Sequence, residues 1–201
     1  MNTLDIILST RNPGKVEQIK AIFENLPIQV LTLEDALIVG ETIEDGNTLE
    51  ENAFKKALFA WEQTKKWCVA DDSGFFIDAL SGAPGVFSAR WAGENATTDE
   101  ITDFTLKQLA HVPPPRTGTA QCVVAIISPA EERYIFRGIL HGMFSETPQG
   151  PRKPGMPYYP IFIPKGGNKT FSEMTLDEVN AISHRGQAFR KVGDFFKKRF
   201  S

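Results

Sequence analysis

The sequence predicts one α/β domain, and three observations carry that reading. Short apolar runs of strand length alternate with longer segments whose apolar residues recur at helical spacing. Helix starts are marked at Thr48, Thr97 and Thr175, each followed three residues later by Glu in a capping-box pattern. Two β-rich runs around Pro129-Ala130-Glu131 read as an antiparallel hairpin. The 201 residues suffice for a single domain, 1–201, with a substantial core, and they contain no repeat and no linker.

Leu4 to Leu8 reads as the first strand. It runs into Ser9-Thr10-Arg11-Asn12-Pro13-Gly14-Lys15, and a helix follows with Val16, Ile19, Ile22, Phe23 and Leu26 in phase. Strand, polar glycine loop, helix is the order that aims backbone N–H groups and a helix's positive end at an anion. Lys15 adds a point charge, although the loop lacks the first glycine and the final Ser/Thr of a Walker A motif. Pro27 to Leu33 reads as the second strand, and the acidic stretch Val39–Asn47, with Glu44, as a loop. The helix opened by Thr48 reaches about Lys66. On one of its faces Lys56 falls among Leu49, Ala53 and Ala60, as either a snorkelling edge residue or a phosphate ligand, snorkelling being the default.

Trp67-Cys68-Val69-Ala70 reads as a buried strand that delivers Asp71 and Asp72 to its C-terminal end, with Ser73-Gly74 turning the chain. Adjacent strand residues face opposite ways, so one carboxylate faces structure while the other faces a metal or a water. The same four residues also suit a plain solvated turn. Phe75 to Leu80 reads as a further strand or extended arm, and Gly82–Gly85 as a tight turn. The Thr97 helix runs to about Ala110 and ends before Pro113-Pro114-Pro115. After the hairpin, Gly138 and Gly142 bracket a turn. Thr147–Pro160 is a Pro/Gly-rich loop with exposed Tyr158 and Tyr159, and Ile161–Ile163 is a short strand. The Thr175 helix reaches His184-Arg185 and breaks at Gly186. Phe189, Val192, Phe196 and Phe200 stripe a final helix. The hairpin and proline loop, about 115–165, would form a second lobe or lid.

The net charge of −3 argues against general nucleic-acid binding. No apolar run approaches membrane-spanning length, and the N-terminus has no signal-peptide pattern. Cys68 and Cys122 sit in strand-like runs as buried thiols, which fits a reducing cytoplasm.

Taken in order, Ser9–Lys15, Glu51-Asn52-Ala53 with Lys56-Ala57, Ala70–Gly74, Asp78-Ala79-Leu80, Gly82–Val86 and Ser88-Ala89-Arg90 are specific as a set. Tyr158, Pro160-Ile161-Phe162, Glu173-Met174 and Ala181–Gly186 extend it. With these the chain resembles the inosine triphosphate pyrophosphatase family, from Ser9 to about Val192. The resemblance implies a mixed α/β sheet with flanking helices, in two lobes around a nucleotide cleft. It implies hydrolysis of ITP, dITP and XTP to the monophosphate and pyrophosphate, with Mg²⁺, by a homodimer. Carried over by position, Thr10, Arg11, Asn12, Pro13, Gly14 and Lys15 contact the triphosphate, with Lys56 assisting. Glu44 and Asp72 hold the metal, Asp72 accepts the proton of the attacking water, and Ser73 touches substrate. His184 and Arg185 read the purine's 6-keto edge.

The chain departs from the family on the base side. Met156-Pro157-Tyr158-Tyr159 stands where the family usually has Phe-Gly-Tyr-Asp, and Val179 where it usually has Lys. Three functions follow: the 6-keto purine pyrophosphatase, the same chemistry on another modified nucleotide, and nucleotide binding without turnover.

Overall fold

The computed structural model describes residues 3–200. β1 (Leu4–Leu8) lies parallel between β2 (Ile28–Thr32) and β3 (Cys68–Ile77). β3 pairs antiparallel with β5 (Thr117–Ile127), β5 with β6 (Arg133–Phe144), and β6 with the short β7 (Phe162–Pro164). The sheet order is thus β2-β1-β3-β5-β6-β7, with β4 (Pro84–Gly85) added antiparallel beside the far end of β3. The mixed α/β sheet predicted from sequence is what forms.

Helices cover both faces because the strands are apolar on both. On one face α1 (Pro13–Phe23) and α5 (His184–Phe200) bury Ile19, Phe23, Phe189, Val192 and Phe196 against Ile6, Leu8, Val69 and Val124. Each such large side chain contributes about 1.5–3 kcal/mol relative to exposure. On the other face α2 (Leu49–Thr64) lays Ala53, Ala57 and Ala60 on Cys68, Ala70, Val123 and Ala125. Small residues on α2 let the helix approach the strands closely. A third cluster lies beyond the strand ends: Phe75, Ile77, Phe144, Tyr158, Ile161, Phe162 and Phe171, beside α3 (Thr98–Gln108) and α4 (Leu176–Ile182).

The capping boxes at Thr97 and Thr175 form in full, with both reciprocal bonds. The box at Thr48 is half made. Thr48 caps Glu51 N–H, but the Glu51 carboxylate accepts from Asn47 N–H instead.

Four expectations are corrected. β3 does not end at Ala70. Asp71 to Ile77 continue the ladder with β5, because that long partner satisfies their backbone groups. Gly74 is therefore no turn residue: a Cβ there would strike the Gly85 carbonyl of β4. Gly138 and Gly142 likewise lie inside β6, where a Cβ would collide with the His184 and Ile163 carbonyls respectively. The break between α4 and α5 falls at extended Ser183, and Gly186 sits within α5 against the Asn180 carbonyl. Phe200 ends the α5 stripe as expected, its ring stacked on Phe196 at 6.2 Å and edge-on to Trp67 at 5.9 Å, although about half of it is exposed.

Candidate nucleotide site

A cleft of about 340 Å³ opens where β1, β3, α1, α2 and α5 converge with the loop at 155–159. Its volume lies in the range of small-ligand sites. Thr10, Arg11, Asn12, Lys15, Glu44, Lys56, Asp72, Ser73, Met156, Pro157, Tyr158, Tyr159, His184 and Arg185 line it. Of the residues expected from sequence, Pro13, Gly14 and Val179 stay behind the wall.

The N-terminal wall begins at Asn12, whose side-chain oxygen accepts from Gly14 and Lys15 N–H and caps α1. Pro13 is the first helical residue, so Lys15 stands in the first turn of α1 and not in the loop. The other side-chain end of Asn12 donates to the Gly155 carbonyl at 2.9 Å. Arg11 donates to the Ile38 and Gly40 carbonyls, which ties the loop carrying Glu44 to the cleft. Thr10, Lys15 and the helix's positive end then face the cavity.

Asp71 and Asp72 point to opposite faces of β3, as strand alternation requires. Asp72 shares the α2 face with Lys56. Lys56 Nζ lies 2.8 Å from Asp72 Oδ1 and 3.1 Å from Glu44 Oε2. Lys56 is buried and does not snorkel. Burial works against its charge, but Asp72 and Glu44 outweigh burial and raise its pKa. Burial pushes the Asp72 carboxyl up, with Lys56 pulling the other way. Asn52 Nδ2 donates to Asp72 Oδ2 at 3.3 Å and orients it.

Asp71 shares the opposite face with α1 and α5. Its Oδ2 lies 3.0 Å from Lys15 Nζ and 3.3 Å from Arg185 Nε. Burial opposes its charge, yet Lys15 and Arg185 hold the carboxyl below the usual carboxylate range. Arg185 also donates to Gln18 Oε1 at 2.8 Å and Ser73 Oγ at 3.3 Å.

The end of the cleft beside the 155–159 loop is aromatic. Tyr158 and Tyr159 are 2% and 6% exposed, not loop-surface residues. The Tyr158 ring stacks on Phe75 at 4.4 Å and its hydroxyl donates to the Ser88 carbonyl. The Tyr159 hydroxyl donates to Gln18 at 2.9 Å. The loop carrying them is tethered: Arg152 pairs with Asp99 and Asp103, Gly155 N–H donates to Thr98, and Thr102 donates to the Pro157 carbonyl. Met156 is buried and packs over Gly14. His184 is 1% exposed, and neither ring nitrogen has a protein partner. Burial, with Arg185 nearby, depresses its pKa well below 6.5, so a neutral imidazole with one donor and one acceptor faces this end. Val179 is buried in the third cluster.

Sequence reasoning missed Phe75, Ser88 and Gln18. A turn at Gly74 separates Phe75 from β3, as a further strand or an arm, whereas the ladder with β5 runs straight through it. Gln18 carried no signal, being one polar residue on an amphipathic helix.

The Ham1 family model matches residues 6–195 of this chain. The dITP/XTP pyrophosphatase of Geobacter sulfurreducens is 43% identical over 190 residues, covering 94% of each chain. That of Bacillus subtilis is 40% identical over 189 residues, again covering 94% of each. Among solved structures, a HAM1 protein from Coxiella burnetii superposes with a TM-score of 0.85 at 35% identity, covering 98% of this chain and 100% of that one.

Proposed function

The chain belongs to the Ham1 family, and we propose that it hydrolyses non-standard purine nucleoside triphosphates, dITP, ITP and XTP, to the monophosphate and pyrophosphate. One observation carries the site assignment. Two carboxylates, Asp72 and Glu44, meet on one buried lysine, Lys56, across a single cleft from the N-terminus of α1 and Lys15.

Thr10, Lys15 and the α1 N-terminus bind the triphosphate, with Lys56 beside them. Arg11, Asn12, Pro13 and Gly14 shape that wall. Phosphoryl chemistry rests on position and on neutralising negative charge, which these groups do. Asp72 takes a proton from the attacking water as its oxygen bonds to the α-phosphorus. The bond from the α-phosphorus to the bridging oxygen breaks, and pyrophosphate leaves. Burial raises the Asp72 carboxyl, which makes its carboxylate a stronger base than an exposed one. Ser73 lines the cleft beside it.

Mg²⁺ fits the donors present. Among the described residues no three His, Cys, Asp or Glu side chains group as metal ligands. Magnesium is commonly held by one or two carboxylates together with substrate phosphates and water. Glu44 and Asp72 would supply those carboxylates, and the bound ion would neutralise charge developing on the phosphates.

At the base end His184 and Arg185 read the purine edge, with Met156, Pro157, Tyr158 and Tyr159 around it. The neutral Tyr159–Gln18 pair and apolar Val179 favour a second reading, the same reaction with altered base preference. We read residues 1–201 as one pyrophosphatase domain with about 115–165 as the far lobe. The family resemblance supports a homodimer, and the two free, buried cysteines suit the cytoplasm. Among the described residues no helix is long and apolar enough to cross a membrane.

A pyrophosphate-release assay over dITP, ITP, XTP, GTP, ATP, CTP and UTP, with and without EDTA, tests this function. Metal-dependent release from the first three supports it. Release of orthophosphate instead, or no turnover of any nucleotide, would sink it.

A further inference from the structure

We propose that Asp71 is a positioning residue that couples the triphosphate end of the cleft to its base end, through Lys15 on one side and Arg185 on the other. This rests on the reading that Lys15 binds phosphate and Arg185 serves the base.

Asp71 is fully buried in β3, its backbone locked opposite Val124 of β5. One of its oxygens, Oδ2, collects the donors: Lys15 Nζ at 3.0 Å, Arg185 Nε at 3.3 Å and Ser73 Oγ at 3.0 Å. The other, Oδ1, has no partner although it is buried. An unpaired buried acceptor is unfavourable, so stability alone does not account for the arrangement. Both cations, which themselves line the cleft, instead share a single oxygen. They come from different helices, Lys15 from the first turn of α1 and Arg185 from that of α5.

A carboxylate shared in this way links its partners. An anion that engages Lys15 weakens that lysine's hold on Asp71, and Asp71 then attracts Arg185 more strongly, because the enclosed site screens charge poorly. Arg185 is thereby fixed at the base end when phosphate is present. The coupling is reciprocal by linkage, so a bound base also favours phosphate at Lys15. Polyphosphate alone, or a nucleoside alone, binds without that gain. A full triphosphate with the matching base receives both.

The test separates the two ends. Inosine binding is measured by calorimetry with and without inorganic tripolyphosphate, a readout that needs no turnover. In the wild type tripolyphosphate is expected to tighten inosine about five-fold or more. Asp71→Asn, nearly isosteric but uncharged, is expected to bring that factor below about two-fold, while Asp71→Glu restores part of it. Should Asp71→Asn fail to fold, Ser73→Ala removes the half-buried hydroxyl that joins Arg185 to Asp71, and it is expected to halve the factor at least. Independent binding in the wild type overturns the proposal. So does full coupling in Asp71→Asn, or in Ser73→Ala where that variant is the one read. A parallel assay of wild-type pyrophosphate release reports separately on the catalytic reading, since absent turnover leaves the binding factor measurable.

Discussion

Lys56 Nζ stands 2.8 Å from Asp72 Oδ1, and both side chains are nine-tenths buried. The pair joins α2 to β3 and brings Glu44 in from the preceding loop. Because Lys56 and Asp72 are both enclosed, either one left without the other is a poorly solvated charge. The two halves of the pair should therefore fail differently when removed.

Lys56→Met leaves Asp72 buried without its cation, and unpairing a buried charge costs about 3–5 kcal/mol. Urea denaturation is expected to show a loss of that order together with lost activity. Asp72→Asn leaves Lys56 paired with Glu44, so stability changes less. Its kcat is expected to fall by about 10²–10⁴, the usual share of general base catalysis. Equal stability losses in the two variants would contradict this account.

Acid should destabilise the protein in two separate windows. His184 is neutral and enclosed when folded, with its pKa well below the unfolded value near 6.5. Below about pH 6.5 the unfolded chain binds a proton that the folded chain refuses. Stability is then lost at up to roughly 1.4 kcal/mol per pH unit as pH falls. Asp71 runs from the other side: its folded pKa lies below the ordinary carboxylate value, so its contribution holds above that value and is lost as pH drops beneath it. His184→Phe, between Phe75 and Phe171, is expected to flatten the first window only, as read by denaturation midpoints from pH 8 to pH 5.

Gly14 is where α1 meets the loop that carries Met156. A Cβ there would come within 2.8 Å of Met156 Cε, the flexible end of a side chain. Gly14→Ala should fold with a stability change below about 1 kcal/mol. The displaced thioether is expected to raise the KM for dITP several-fold with little change in kcat. An unchanged KM would mean that Met156 does not bear on the base.

Gly138 is a harsher case, because its neighbour is the His184 backbone carbonyl and backbone cannot yield as a methionine does. Gly138→Ala should cost about 3 kcal/mol or more, as severe overpacking does. By pushing the start of α5, it should also weaken selection of 6-keto over 6-amino purines in the nucleotide panel. Wild-type melting behaviour in this variant would refute the close approach of β6 to α5.

Much of the chain's organisation was legible in one dimension. Strand runs, helix periodicity and capping pairs are local, and local sterics and hydrogen bonding decide them. Lys15, Lys56 and Asp72 could be singled out because each sits at a position set by its own element: a helix N-terminus, a face of small residues, a strand. The divergence of Asp71 from Asp72 followed from strand alternation alone.

What the sequence could not supply was partnership. Whether Gly74 turned the chain or continued β3 depended on a ladder to β5 some fifty residues away. Whether Gly138 marked a turn depended on α5 lying against β6. Tyr158 and Tyr159 lie in a Pro/Gly loop of the kind that is usually exposed, yet Phe75, Gln18 and Phe171, all distant in sequence, enclose them. Residue type and short spacing were enough for the α/β class and for the family, since both rest on local patterns. Which carboxylate pairs with which cation, and what encloses Tyr158, Tyr159 and His184, came only with the folded chain, since burial and charge pairing arise only when distant segments exclude water together.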